Sequence, residues 1–334
     1  MKSIAERKQR WINFYEPDSE IKRLYIINCN EGVPQRPQLW WELMNERIDY
    51  AYERCVRQLD CMNYIDDDSI PHLTLITGTE IFAEAFGCPV HKPDNNNPFA
   101  LPLVKNAAEA SKIKIPRLED TKLSLLFDMA DKLRDRIGDD EIPLAMPDIQ
   151  TPMDIAALIW EKSDFFAAMY EEPEAVKELA EKVKALMFEF FDKWFGRYGK
   201  SFIAHYPDYY MPYGITMSED EIGAVSSEMY KEFFEPEMNE FSDRYGAIGV
   251  HCCAHSKHQW ENLKNIRNLK LLNLVLSAPL TDRSVKFFAD TCVQYPAYYN
   301  YDNNPEYADI RLIKPFYVNT VEELKTLNRE LYHE

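Results

Sequence analysis

Glycine is scarce in this chain: ten occur in 334 residues, about half of what ordinary usage of roughly 7% would supply. They do not cluster. There is no G-x-G-x-x-G and no G-x-x-x-x-G-K-[ST] run, so the usual sequence support for a dinucleotide fold or a phosphate loop is missing. Long apolar stretches are lacking as well, with nothing near the ~18 residues a membrane span needs. The amino terminus, MKSIAERKQRWINF, starts basic but carries neither an apolar run nor a small-residue cleavage site, so a soluble, cytoplasmic protein with no membrane partner is expected. Positive charge is short: 38 Lys and Arg face 56 Asp and Glu, for a net charge of −18. A phosphate backbone would be repelled, and nucleic acid is not expected as a partner. The seven cysteines form no framework of regular spacings and read as reduced thiols.

What is present begins with strand-like and helix-like segments in alternation. Short β-prone runs occur at RLYIINCN (23–30), HLTLITG (72–78), IPLAMPDIQ (142–150), FIAHYPDYY (202–210), IGVHCCA (248–254), LLNLVLSAP (271–279), AYYNYD (297–302) and RLIKPFYVN (311–319). Helical patterns lie between most of them. In PEAVKELAEKVKALMFEFFDKWFGRYG, Val176, Leu179, Ala180, Val183, Leu186, Met187, Phe190, Phe191 and Trp194 recur at spacings of three and four, and Gly196 marks the expected stop. Strand followed by helix, about eight times over, predicts α/β architecture and a closed (β/α)₈ TIM barrel, with a doubly wound open sheet as the rival. The expected organisation is one domain, with residues 1–60 as an amino-terminal helical extension and 61–334 as the barrel.

The densest chemistry is IGVHCCAHSKHQW (248–260), which holds three of the seven histidines and two of the cysteines. Residues i and i+2 of a strand share a face, so His251 and Cys253 are expected to point together to the barrel mouth while Cys252 points into the core. Imidazole plus thiolate suits zinc, and a catalytic site would add a third protein ligand and keep one position open. A buried His-x-Cys pair with no metal is the alternative. His255 and His258, past the strand, read as solvated or capping groups. Other polar groups at strand ends are Asp148, His205, Tyr206, Asp208, Tyr209 and Tyr210, whose aromatics and acids could line a pocket for a small apolar or aromatic methyl donor or could only pack over the rim. In GITMSEDE, Glu219, Asp220 and Glu221 form an acidic turn, and the spacing of Ser218 and Glu221 also fits a helix cap.

Three segments in order, TGTEIFAEAFGCPV (77–90), PDIQTPMDIAALIW (147–160) and SEDEIGAVSSEMYKEFFEPEMNEFSDRYGAIGVHCCAHSKHQWENLKNI (218–266), resemble the uroporphyrinogen decarboxylase superfamily. Its members include haem-pathway decarboxylases and zinc-dependent corrinoid methyltransferases. The resemblance runs from about residue 60 to 300 and implies a TIM barrel. In the methyltransferase branch a His-x-Cys pair and a distant cysteine hold zinc, which activates a thiol toward a methyl group on a corrinoid protein. The resemblance therefore implies His251 and Cys253 as metal ligands, with zinc and a partner-borne corrinoid as cofactors, and Asp220 lies in a turn that resembles the family's acidic turn. From their strand-end positions, Asp148 joins Asp220 as a candidate catalytic carboxylate, and His205, Tyr206, Tyr209 and Tyr210 are the candidate substrate-binding residues. The only later cysteine, Cys292, precedes a strand and would lie at the barrel floor, roughly 10 to 15 Å from the mouth. Ala254 stands where the family has glycine. The decarboxylase branch matches less: its arginine-rich R-Q-A-G-R element and its strand-end aspartate have no counterpart here. The expected function is methyl transfer or demethylation between a corrinoid protein and a small thiol or methylated substrate. A decarboxylase-type lyase and a non-catalytic ligand-binding barrel are the alternatives. Homodimerisation is expected on base rates alone.

Overall fold

The computed structural model describes residues 1–332. Six strands form one parallel sheet: β1 (Arg23–Cys29), β2 (Ile215–Ser218), β3 (Ile248–Cys252), β4 (Leu269–Leu274), β5 (Val293–Gln294) and β6 (Leu312–Val318), in the order β1-β6-β5-β4-β3-β2. Two irregular segments carry the sheet onward from β2. Gln150 bridges Ser218 in parallel, and Leu144 bridges Leu73. The ring then returns to β1, where the Asp68 N–H donates to the Tyr25 carbonyl at 2.8 Å. These staves make the expected TIM barrel, enclosed by helices.

The return seam is unusual in its bonding. The DDDSIP segment (66–71) is too irregular to form a ladder, and its carboxylates take the place of carbonyls. Asp68 Oδ2 accepts the Tyr25 N–H at 2.9 Å, and Asp67 Oδ2 accepts the Ile27 N–H at 2.8 Å. The helix Ile4–Tyr15 clamps this seam from outside: Arg7 pairs with Asp67 and donates to the Ile65 carbonyl, and the Trp11 indole donates to the Asp68 carbonyl. Arg7 and Asp67 are both fully buried, so each neutralises a charge that would otherwise be costly to remove from water.

Several expectations are corrected. The boundary at residue 60 does not separate extension from barrel, because β1 pairs with β6 across seven positions, Arg23 with Leu312 through Cys29 with Val318. Both terminal runs therefore close the ring, beside each other. AYYNYD (297–302) is not a strand; its Tyr301 ring lies 4.5 Å from the ring of Tyr307, and the two build a small satellite core with Ile310 and Leu312. The strand lies just before it, at Val293–Gln294. Ser218, whose spacing to Glu221 also fits a helix cap, instead ends β2, a strand buried between β3 and the 144–150 segment. The long helix runs over Pro173–Tyr198, through Gly196, and ends before Gly199 at φ 86°. Its buried face is the one the spacing predicts, from Val176 to Trp194. Among the described residues no helix is long and apolar enough to cross a membrane.

Candidate active site

The carboxyl ends of the staves open into a cavity of about 490 Å³ whose lining includes Asp148, His205, Tyr206, Asp220, His251, Arg36 and Arg54. Asp148, His205, Tyr206, Asp208, Asp220 and His251, all singled out in the sequence, thus meet in one mouth. Asp148 lies near the carboxyl end of the 144–150 segment, and its Oδ2 is 3.4 Å from His205 Nε2. Burial disfavours the His205 imidazolium, but the Asp148 carboxylate, with Asp208 behind it, outweighs that cost and lifts the imidazole above its ordinary pKa. Tyr206 is exposed and stands edge-on to His251, ring centroids 5.0 Å apart at 83°.

His251 is oriented from the neighbouring strand. Its Nδ1 lies 2.5 Å from Asn273 Oδ1, opposite in register on β4, and the Asn273 amide nitrogen donates to the Tyr295 carbonyl at 2.5 Å. A backbone carbonyl only accepts, so the amide must present oxygen to the imidazole and Nδ1 must carry the proton. The lone pair is thereby placed on Nε2. Asn273 went unnoticed in the sequence; the signal for it was a single amide inside the apolar run LKLLNLVL.

Cys253 does not follow His251 into the cavity. The strand ends at Cys252, which is buried as expected, and the alternation of faces lapses there. Cys253 sits exposed on the rim, where its N–H donates to Asp220 Oδ1 at 2.6 Å and its thiol to Asp220 Oδ2 at 3.1 Å. Packing around the sulfur and the Asp220 carboxylate hold the thiol up at about 12. Below Asp220 lie three buried acids, Asp154, Glu219 and Glu237. Burial raises all three, Asp154 to about 7.

Tyr209 and Tyr210, expected to bind substrate, are buried at 2% and 4% exposure. Tyr210 belongs to the core beneath the mouth, its carbonyl accepting the Tyr15 hydroxyl at 2.9 Å. Tyr209 underlies His251 and His205 in a small adjoining void. Asp208 ties Arg54 (2.7 Å) and His72 (3.5 Å) at the edge of the mouth. Glu221 pairs with Lys162 at 2.5 Å, and His258 contacts the Val225 carbonyl at 3.0 Å; neither enters the cavity.

The His251 and Cys253 donors are chemically suited to zinc, yet among the described residues no three His, Cys, Asp or Glu side chains gather at ligand spacing. Cys292 does not complete the set: it is buried next to β5, and burial pushes its thiol up to about 12. The side chains as placed do not make a three-ligand centre.

The uroporphyrinogen decarboxylase (URO-D) family model matches residues 72–294, two thirds of the chain. The chain belongs to the URO-D family. No curated protein matches it in sequence. A methyltransferase from Methanosarcina mazei shares the fold, with a TM-score of 0.68 over 98% of this chain and 99% of that one at 10% sequence identity. The match spans β2, β3 and β4 and stops at β5, so in this URO-D family member β1 and β6 lie outside the family model while completing the same ring.

Proposed function

We propose that this URO-D family protein is a methyltransferase acting on a small substrate at the barrel mouth, with a corrinoid protein as the source or acceptor of the methyl group. The observation that carries the reading is the locked tautomer of His251, which aims an Nε2 lone pair at a cavity of small-molecule size. Family membership and the likeness of fold to a methyltransferase support it. A corrinoid held by its own carrier protein would meet the mouth from outside.

The chain's own groups can bind, orient and handle protons. A thiol substrate must lose its proton to become nucleophilic, and two acceptors are in place: His251 Nε2 and the His205–Asp148 pair. His205, lifted by Asp148, holds a proton more readily than a free imidazole and suits protonating the departing heteroatom in the opposite direction, when a methylated substrate gives its methyl group to the reduced corrinoid. Tyr206 covers His251 and limits its exposure to water. Zinc would polarise the thiol further, but its ligand set falls short here.

The test is methylcobalamin with a small thiol such as 2-mercaptoethanol, followed by the absorbance change on demethylation, with and without added zinc. Turnover above the buffer rate that His251→Ala removes is expected. Turnover that His251→Ala leaves intact, or none under either condition, would overturn the reading.

A further inference from the structure

The loops that follow three successive staves are tied to one another by carboxylates. Asp154 stands in the first turn of the helix Pro152–Ile159, after the 144–150 segment, and is 1% exposed. Its two oxygens reach the next loop, where Oδ2 accepts the Asp220 N–H at 2.8 Å and Oδ1 accepts the Glu221 N–H at 3.0 Å. Asp220 then reaches the loop after β3, where its carboxylate accepts the N–H and the thiol of Cys253. The Asp154 end of this series is buried, its bonds to the next loop are partly buried, and the Cys253 end is exposed on the rim.

We infer that Asp154 is a positioning residue for the rim of the site, holding the Asp220 backbone so that the Asp220 carboxylate can fix Cys253. Asp154 does not line the cavity and makes no hydrogen bond to Cys253; Gln150 Nε2 also donates to its Oδ2, at 3.4 Å, and its hold on Cys253 runs through Asp220. The supports around it agree with that role. Thr151 Oγ1 accepts the Asp154 N–H at 3.3 Å and donates to Glu219 Oε2 at 2.5 Å, and the Glu219 N–H donates to the His251 carbonyl at 2.9 Å. The loop that carries Asp220 is thus held at Glu219, Asp220 and Glu221 in succession. A carboxylate with both oxygens committed to consecutive amides leaves that loop one backbone orientation, and the direction of the Asp220 side chain follows. Asn at position 154 could accept only one of the two amides.

The inference deepens the proposed site and rests on Cys253 belonging to its rim, but its test reads no turnover and can fail independently of methyl transfer. Amide hydrogen exchange, followed by mass spectrometry on peptides covering 219–224 and 252–257, compares the native chain with Asp154→Ala, Asp154→Asn and Asp220→Ala. In Asp154→Ala, exchange at 220–221 is expected to rise about tenfold or more, and exchange at 253 to rise with it although Asp154 makes no hydrogen bond there. Asp220→Ala should release 253 alone. Peptide-mapped alkylation of Cys253 should accelerate in both single variants and no further in the double variant. Asp154→Asn should fall between native and Asp154→Ala, and it carries the test should the alanine variant fail to fold. Release at 220–221 with exchange and alkylation at 253 unchanged would overturn the inference. So would a uniform rise across the barrel, or an effect of Asp154 substitution that persists in the Asp220→Ala background.

Discussion

The imidazole of His251 and the carboxamide of Asn273 form a single orienting unit across β3 and β4, joined Nδ1 to Oδ1 at 2.5 Å, with the Tyr295 carbonyl deciding which way the amide faces. Asn273 is 3% exposed, so no water readily replaces it. In Asn273→Ala the imidazole loses its anchor and the two tautomers approach their solution mixture. Turnover in the methylcobalamin assay should drop by about tenfold or more. Long-range ¹H–¹⁵N spectra of His251 should show the Nδ1–H form in the native chain and a mixture in the variant; a pure Nδ1–H form in both would contradict the assignment.

Tyr206 should separate binding from folding. At 57% exposure it adds little to the core, so Tyr206→Ala should change stability by no more than about 0.5 kcal/mol. Because its ring stands over His251, the same change should raise KM several-fold. Thermal melts and steady-state kinetics on one preparation decide between this and a purely structural role.

Arg7 should be among the most sensitive positions for stability. It is fully buried against Asp67, whose other oxygen holds the Ile27 amide at the barrel seam. Arg7→Met strands that carboxylate without its cation, at a cost of about 3 to 5 kcal/mol. Urea denaturation of the variant should show the loss. The double variant Arg7→Met/Asp67→Asn should recover part of it, since the uncompensated charge is then gone.

The buried acids give the protein an alkaline liability. Glu80, 2% exposed with Oε2 unpartnered, is pushed up to about 7, chiefly by burial, and Glu219 is raised well above the ordinary range by burial and by Asp154 beside it. A carboxyl whose folded pKa exceeds its unfolded one binds its proton more tightly when folded. Its contribution is therefore complete below the unfolded value near 4.5 and is lost as pH rises through the folded value. The melting temperature should fall between pH 5 and pH 8. Glu80→Gln should flatten that fall, with a gain of roughly 2 °C or more at pH 8 and little or none at pH 5. Parallel pH profiles for native and variant would show that Glu80 contributes nothing to the slope.

The sequence by itself determined what local periodicity and composition can carry. The buried stripe from Val176 to Trp194 follows from 3.6-residue spacing, and runs such as RLYIINC and LIKPFYV have the β-branched and aromatic content of strands. The order of strands and helices pointed to a barrel, and the strand-end positions of Asp148, His205, Tyr206, Asp220 and His251 brought them into one cavity. Even single residues outside the expected site left a trace, as with the lone aspartate in PMDIAALI and the lone asparagine in LKLLNLVL. Only the tertiary structure decided who meets whom. That β1 lies beside β6, nearly 290 positions away in the chain, depends on ring closure, which no window of sequence contains. That His251 faces Asn273 depends on the stagger between adjacent staves, because a shift of one residue would turn each side chain to the opposite face. That Asp220 holds Cys253 and Asp154 holds Asp220 depends on the ring bringing three successive loops side by side. Tyr209 and Tyr210 show the same limit. A tyrosine at a strand end has the same composition whether it lines a mouth or fills the floor beneath it; in the fold Tyr210 is buried with its carbonyl accepting the Tyr15 hydroxyl, while Tyr209 borders the void beneath His205 and His251.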